Sequence, residues 1–381
     1  MLFVILLHAN SLNPVIFVPG TMRSRLYMNS TRKPYWYCKH STNSLAWLNL
    51  LTFIPPFMNC FFDSFGLDYD PIQGIPKNKP NATIRTIDGL NGIGALKTSV
   101  FGLTLEGYFK KMVKEMIKRG NSDFHGAPYD WRFGLSQSSD YFINLKATIE
   151  NAYLNTNKSS NIVCHSLGCM IVHRFLSNET SPIWRGKYVK KVIMIAPSFS
   201  GSGLAFITLW RQYLPYAPFL ATKDLKEFIG SLGALHVHIP NAAYYSNTTI
   251  MITPDGSSHT PEDIPELLND YGKLSHSQQL LADVNIQYTT KVHSPLDVET
   301  NIIYNSGIDT PIGLDIRNNP NGKVLYDKGD GLVGSKGVEI ICSTWKKNLT
   351  RCINVNASKT RFIHRNMVGA KEVISQVLEW V

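Results

Sequence analysis

The sequence predicts an α/β protein built on a mostly parallel central sheet, and three observations predict it. Short apolar runs at Val15-Ile16-Phe17-Val18, Asn161-Ile162-Val163-Cys164 and residues 189–195 are nearly continuous and end at turn residues, as strands buried on both faces do. Stretches with apolar residues at helical spacing separate them. A Ser-x-Gly stands between one of those strands and the helix that follows it.

In chain order, Met1-Leu2-Phe3-Val4-Ile5-Leu6-Leu7 is apolar but far too short to span a bilayer. With His8-Ala9-Asn10-Ser11 after it, residues 1–10 read as a short signal peptide, a buried first strand being the alternative. The run from Val15 to Val18, stopped by Pro19-Gly20, predicts a strand entering a tight loop. Residues 27–65 are aromatic and proline-bearing without clean periodicity, and read as an excursion pinned by Cys38 and Cys60. Residues 103–119 carry Leu105, Tyr108, Phe109, Met112, Val113, Met116 and Ile117 at helical spacing and end at Gly120, a stop signal. A second amphipathic helix is expected over 142–154, and a third after Ser166, through Phe175 and Leu176. The rhythm breaks over 198–290, where Phe206, Trp210, Tyr213, Tyr216 and Phe219 read as an aromatic insertion over the sheet, a lid candidate. Strand-like runs return at 301–304 and 323–326, and a helix over 367–380 closes the chain. Residues 11–381 are therefore one α/β domain with excursions at 27–65 and 198–290.

Composition bounds the function. The 381 residues, 44% hydrophobic and 11% aromatic, suffice for a packed core and exclude a disordered chain. The net charge of +10 favours anionic surfaces. No dense Lys/Arg cluster with interleaved aromatics occurs, so a lipid surface is favoured over nucleic acid. The strongest apolar stretch after the N-terminus, 45–57, carries two prolines and is too short for a transmembrane helix. Asn-x-Ser/Thr sequons at Asn29, Asn81, Asn157, Asn178, Asn247, Asn348 and Asn356 mildly exceed chance and point to the secretory route. Six cysteines fall into three positional pairs. Cys38/Cys60 and Cys342/Cys352 close short loops, which suits disulfides in an oxidising compartment. Cys164 and Cys169 flank the Ser, and the strand-to-helix geometry is expected to aim them apart as free packing residues. No spacing resembles a zinc site, and the reading calls for no metal or cofactor.

A serine hydroxyl attacks an ester only when a base takes its proton and preset donors meet the developing oxyanion. A nucleophile elbow exposes such a Ser on a strained strand-to-helix turn with small neighbours. Cys164-His165-Ser166-Leu167-Gly168 fits that pattern, with Cys at the usual first Gly. Ser-Gly at Ser200 and Ser-Leu-Gly at Ser231 lack the context, so Ser166 is the expected nucleophile and a structural Ser the bland alternative. In the α/β-hydrolase fold the acid and then the base follow on loops after late strands. Asp330, between Gly329 and Gly331, is the expected acid, with Asp327 as rival and a solvated turn Asp as the bland reading of both. His364, just before the last helix, is the expected base; His293 is the fallback. His165, adjacent to the Ser, points away from its hydroxyl and is expected to pack or hydrogen-bond beneath the turn. The oxyanion donors are expected to be the N–H groups of Leu167 and of Thr21 in Pro19-Gly20-Thr21, the alternative for that loop being a plain β-turn. The Asp130/Arg132 pair, flanked by Tyr129 and Trp131, is expected to lock a loop beside the site rather than act on substrate. Trp36, Trp47, Leu48, Leu50, Leu51, Phe53 and Ile54 could form a subdomain core, yet so many apolar groups in a disulfide-bounded loop also predict an interfacial face.

Together these residues resemble the lecithin:cholesterol acyltransferase family, including its lysosomal phospholipase A type, over nearly the whole chain. The resemblance rests on Val18-Pro19-Gly20, the loop from Trp36-Tyr37-Cys38 to Cys60, Ala127-Pro128-Tyr129-Asp130-Trp131-Arg132, His165-Ser166-Leu167-Gly168-Cys169, Gly329-Asp330-Gly331-Leu332-Val333 and His364-Arg365-Asn366-Met367-Val368. It implies a triad of Ser166, Asp330 and His364 with oxyanion donors at Thr21 and Leu167, a membrane-docking loop closed by Cys38 and Cys60, and a mobile lid after Gly201. The implied activity releases a fatty acyl chain from a membrane phospholipid, through an acyl-enzyme on Ser166, to water or a lipid alcohol, in a secreted or lysosomal protein. Two features depart from the family. Asn301-Ile302 stands where a cysteine of its second disulfide lies, so Cys342 is expected to pair with Cys352; and Ala196-Pro197-Ser198-Phe199 replaces Ala-Pro-Trp-Gly. A neutral-lipid lipase or general carboxylesterase is the alternative activity, and a lipid-binding protein without catalysis the alternative class.

Overall fold

The computed structural model describes residues 12–94, 98–100, 103–105, 108–213, 222–345 and 348–381. The signal-peptide reading of 1–10, and Tyr216 and Phe219 of the insertion, lie outside the described residues.

Six strands form the central sheet, and we number them in chain order: β1 Val15–Val18, β2 Phe124–Gly126, β3 Ser160–His165, β4 Val189–Ile195, β5 Glu299–Tyr304 and β6 Thr350–Asn354. Their spatial order is β6-β5-β4-β3-β1-β2, and every pair is parallel. The apolar runs follow from this placement: β1 and β3 are interior strands buried at every position, and a parallel sheet covered on both faces has no polar side. Among the helices that flank it are α1 Lys110–Lys118, α2 Ser139–Thr156, α3 Leu167–Asn178 and α4 Lys371–Trp380. One apolar layer joins Val15, Phe17 and Val163 to α1 and α4 through Phe109, Met112, Met116, Val373 and Val377; the larger core lies on the other face. This is the α/β-hydrolase architecture.

Several elements differ from expectation. The predicted helix over 103–119 is shorter, because Leu103–Leu105 pairs as a strand with Thr98–Val100 and α1 begins only at Lys110. The segment before α4 is a tight 3₁₀ run, His364–Gly369, rather than the first turns of one helix. Lys323–Gly329 does not join the central sheet. It pairs antiparallel with Ile308–Asp315 in a separate four-stranded sheet, and the strand at that edge of the central sheet is β6.

The 27–65 excursion contains regular structure. Leu26–Ser30 lies between Ser41–Trp47 and Ala82–Thr86 in an antiparallel sheet, followed by a helix over Phe57–Phe65. Cys38 and Cys60 are bonded, with Cα atoms 5.7 Å apart. The insertion after β4 is mainly helical among the described residues: Gly203–Arg211, Lys223–Ser231 and His276–Ile286 are its longest helices. Lys223–Ser231 packs on the excursion: Phe228 meets Phe62 at 5.2 Å between ring centroids, and Tyr35 Oη donates to Asp224 Oδ2 at 2.7 Å. The second disulfide, Cys342–Cys352, ties the helix Lys336–Thr344 to β6.

Candidate active site

Ser166 occupies the turn between β3 and α3 with φ 56° and ψ −130°. A non-glycine residue holds such a backbone only where its surroundings enforce it. Two glycines make the room. A Cβ on Gly168 would lie 2.3 Å from the Pro19 carbonyl oxygen, and one on Gly20 would lie 2.8 Å from Ser166 Cβ. The loop after β1 therefore presses directly on the elbow. Cys164 is accommodated because its thiol turns toward the neighbouring strand, donating to the Ile193 carbonyl at 3.6 Å.

Ser166, His364 and Asp330 come together, although 198 and 34 residues separate His364 from the other two. His364 Nε2 lies 2.8 Å from Ser166 Oγ, and His364 Nδ1 lies 2.7 Å from Asp330 Oδ2. The three are only 3–5% exposed, and a buried ion-pairing geometry of this kind fixes the imidazole tautomer: Nδ1–H donates to the carboxylate, leaving Nε2 to accept from the Ser hydroxyl. Asp330 is itself held. Its Oδ1 accepts the N–H groups of Leu332 (3.1 Å) and Val333 (2.8 Å), and its carbonyl accepts His364 N–H at 2.9 Å. The flanking glycines have distinct reasons. Gly331 sits at φ +87°, and a Cβ on Gly329 would strike the Val333 carbonyl oxygen at 2.2 Å.

The rivals lie elsewhere. Asp327 lines a surface cavity of about 820 Å³ together with Lys328, Lys336 and Glu339. His293 lies between the body and the insertion: its Nδ1 pairs with Tyr244 Oη at 2.8 Å, its carbonyl accepts Trp345 Nε1–H, and its ring meets His173 at 5.0 Å. His165 does hydrogen-bond beneath the turn, to the His364 carbonyl at 3.1 Å and to Tyr108 Oη. Burial first, then the charge of His364, holds its imidazole neutral, well below the ordinary His range.

Leu167 N–H belongs to the first turn of α3, where helical geometry supplies no acceptor. Thr21 stands on the loop that abuts Ser166, and its buried hydroxyl has no partner. Arg132 is fully buried and bonds Asp130 Oδ2, Asn78 Oδ1 and the Phe65 carbonyl. It fastens the excursion to the body, which agrees with the locking role read from the sequence. Cys164 and Cys169 are free and buried, as expected, and the Cys169 thiol, like that of Cys164, faces a carbonyl of β4, that of Ile195 at 4.0 Å. The sequence reading missed Tyr108 as a neighbour of the site; it registered only as one apolar position of a helix.

The described residues contain no helix long and apolar enough to cross a membrane. In and beside the disulfide-closed excursion, Trp36 and Ile72 are 94% exposed and Leu51, Ile54, Phe57 and Ile75 about half exposed; other exposed apolar groups, such as Ile183 and Leu154, are scattered over the body. Trp47 and Phe53 instead pack inward, Trp47 against Trp131 at 5.1 Å. The excursion thus divides into a core and an outward face, where the sequence could not assign each residue. The acceptor asparagines of all seven sequons are exposed.

Comparison with known proteins gives the same picture. The chain is 24% identical over 352 residues to a lysosomal phospholipase A and acyltransferase of Bos taurus, covering 89% of this chain and 84% of the relative. It is 23% identical over 382 residues to a phosphatidylcholine-sterol acyltransferase of Mus musculus, covering 97% and 85%. Among solved structures, a chain of the Tle4–Tli4 complex matches with a TM-score of 0.54 at 10% identity, covering 96% of this chain and 97% of that one, a likeness of fold. The family model for lecithin:cholesterol acyltransferase matches residues 42–290. With a match over well more than half its length, and the elbow, carboxylate and imidazole in the geometry described, this chain belongs to the lecithin:cholesterol acyltransferase family.

Proposed function

We propose that the protein takes a fatty acyl chain from a membrane phospholipid onto Ser166 and passes it to water or to a lipid alcohol. The observation that carries this reading is the hydrogen-bonded line from Ser166 Oγ through His364 to Asp330, at 2.8 and 2.7 Å, in a chain whose relatives are phospholipases and acyltransferases. His364 Nε2 removes the Ser166 proton as the hydroxyl oxygen attacks the ester carbonyl carbon. Asp330 stabilises the imidazolium that forms. The tetrahedral oxyanion is met by the N–H groups of Leu167 and Thr21. As the intermediate collapses, the imidazolium gives its proton to the departing lysophospholipid oxygen, leaving the acyl group on Ser166. The second half-reaction repeats these steps with water or an alcohol as nucleophile.

The remaining assignments belong to the same proposal. Residues 27–65 dock on the lipid surface through Trp36, Leu51, Ile54 and Phe57, which carry the exposed apolar area of that region. Ile72, on the adjoining hairpin, extends the face. The net charge of +10 favours anionic lipid. The described part of 198–290 is read as a cap: Ser166 is only 5% exposed, so a lipid reaches it when the cap shifts. Exposed sequons and two disulfides suit a glycoprotein of the secretory pathway, secreted or lysosomal.

The test is mass spectrometry of products from liposomes containing a phospholipid, a sterol and a short-chain alcohol, with triglyceride emulsions as comparison. The proposal expects lysophospholipid together with free fatty acid or an acylated alcohol. Turnover confined to the emulsion would replace it with a neutral-lipid lipase.

A further inference from the structure

Behind the imidazole of His364 lies a polar chain that the proposed reaction does not consume. His165 Nε2 is 3.1 Å from the His364 carbonyl oxygen. A carbonyl only accepts, so this nitrogen carries the proton and Nδ1 carries the lone pair. Tyr108 Oη–H is the donor that meets that lone pair. The same Tyr108 oxygen stands against Gly20, in the loop that holds Thr21: a Cβ on that glycine would lie 3.1 Å from it. The order is therefore the Gly20 loop, Tyr108 hydroxyl, His165 imidazole, His364 carbonyl, with both hydrogen-bond donors pointing the same way, an arrangement in which neighbouring bonds polarise and strengthen one another.

Packing leaves the chain little freedom. His165 is 3% exposed and its ring centroid is 4.7 Å from that of His364. A Cβ on Gly20 would meet Ser166 Cβ at 2.8 Å, His165 Nδ1 at 3.0 Å and Tyr108 Oη at 3.1 Å, so three members of the site converge on one glycine. The Arg23 guanidinium covers the outer face of the Tyr108 ring at 4.9 Å. Burial first, then the neighbouring His364, holds the His165 imidazole well below the ordinary His range.

We infer that Tyr108 and His165 are positioning residues that join the oxyanion loop to the backbone of His364, so that the donors and the base keep one mutual geometry. This inference rests on the reading of Ser166 as nucleophile and His364 as base. Neither residue touches the reacting atoms; each acts through another. A displacement of about 1 Å in a reacting group can cost a hundredfold in rate, whereas the loss of one neutral hydrogen bond changes stability only modestly. Loss of the chain should therefore appear in the chemical step far more than in folding.

The experiment measures the rate constant for labelling by a fluorophosphonate probe, together with kcat and KM on a soluble short-chain ester, for the full-length wild type and for Tyr108→Phe, His165→Leu, His165→Gln and Ser166→Ala. Tyr108→Phe should lower labelling and kcat about tenfold with KM unchanged, and His165→Leu about a hundredfold. His165→Gln, whose side-chain amide can still donate to the His364 carbonyl, should recover most of that loss. Thermal unfolding identifies a misfolded His165→Leu, in which case Tyr108→Phe, the loss of one oxygen, decides alone. Wild-type rates in folded Tyr108→Phe, or His165→Gln no better than a folded His165→Leu, would overturn the inference while leaving the nucleophile in place. A wild type that the probe labels no faster than Ser166→Ala would overturn the nucleophile reading and this inference with it.

Discussion

Ser166 holds its left-handed backbone because Gly20 and Gly168 leave space around it. Gly168→Ala should thus destabilise the protein by roughly 1–3 kcal/mol, since the atom in the way is a backbone carbonyl that cannot swing aside; urea denaturation measures it. Asp330→Asn tests a different property. It keeps the shape but presents an amide to His364 Nδ1, and where the amide nitrogen faces the imidazole the wrong tautomer results. On the proposed mechanism kcat falls by about 10⁴ with little change in unfolding midpoint. Much at this scale was legible: a buried strand, a Ser-x-Gly and a helix mark Ser166, and order along the chain marks Asp330 and His364. What the sequence hid was proximity across distance. Nothing in the residues around Tyr108 indicates that its hydroxyl reaches His165.

Elements were legible where their burial is uniform and obscure where it is not. The strands β1 and β3, and β4 from Val192 onward, are apolar runs because both faces of the sheet are covered. By contrast, β6 is an edge strand reading Thr-Arg-Cys-Ile-Asn, with alternating partial exposure, and it shows no apolar run. Ile308–Asp315 carries Pro311 and Gly313 at an irregularity in its pairing, both of which look like turn signals in a sequence. The strand Lys323–Gly329 was visible, but its membership of a second sheet was not, because pairing partners leave no local mark. The Cys342–Cys352 link closes a short loop between the helix Lys336–Thr344 and this edge strand. Replacing both cysteines by Ala should cost about 3 kcal/mol, chiefly through the unfolded chain, and should expose β6 to hydrogen exchange before the interior strands.

At the scale of the whole molecule, acid should weaken the joint between insertion and body. His236 and His238 in the insertion are buried, which pushes both down to about 4, and His238 also feels the charge of His364. A folded-state value below the unfolded one means that the unfolded chain binds protons first. The resulting penalty is absent above the ordinary His range near 6.5 and grows as pH falls from there to about 4. At pH 5 it is on the order of 2 kcal/mol for each residue. His173 and His293, at the same interface, are shifted in the same direction by burial. The unfolding temperature should therefore drop between pH 7 and pH 5, and His238→Gln should reduce the drop.

The outward face of the excursion belongs to this scale as well. Trp36 is almost wholly exposed, so Trp36→Ser should leave the unfolding temperature unchanged. It should weaken binding to anionic vesicles about tenfold, in line with losing the burial of one large apolar side chain. Equal binding by wild type and variant in a vesicle flotation assay would remove Trp36 from the docking face.

The central claim is that an acyl chain from a membrane phospholipid passes through Ser166. Intact-protein mass spectrometry after rapid quenching with acid, on protein mixed with phosphatidylcholine liposomes, tests it most directly. The account predicts an added mass of one fatty acyl group, mapped to the peptide containing Ser166 and missing in Ser166→Ala. Phospholipid cleavage that persists in Ser166→Ala, or an acyl group found on another residue, would contradict it.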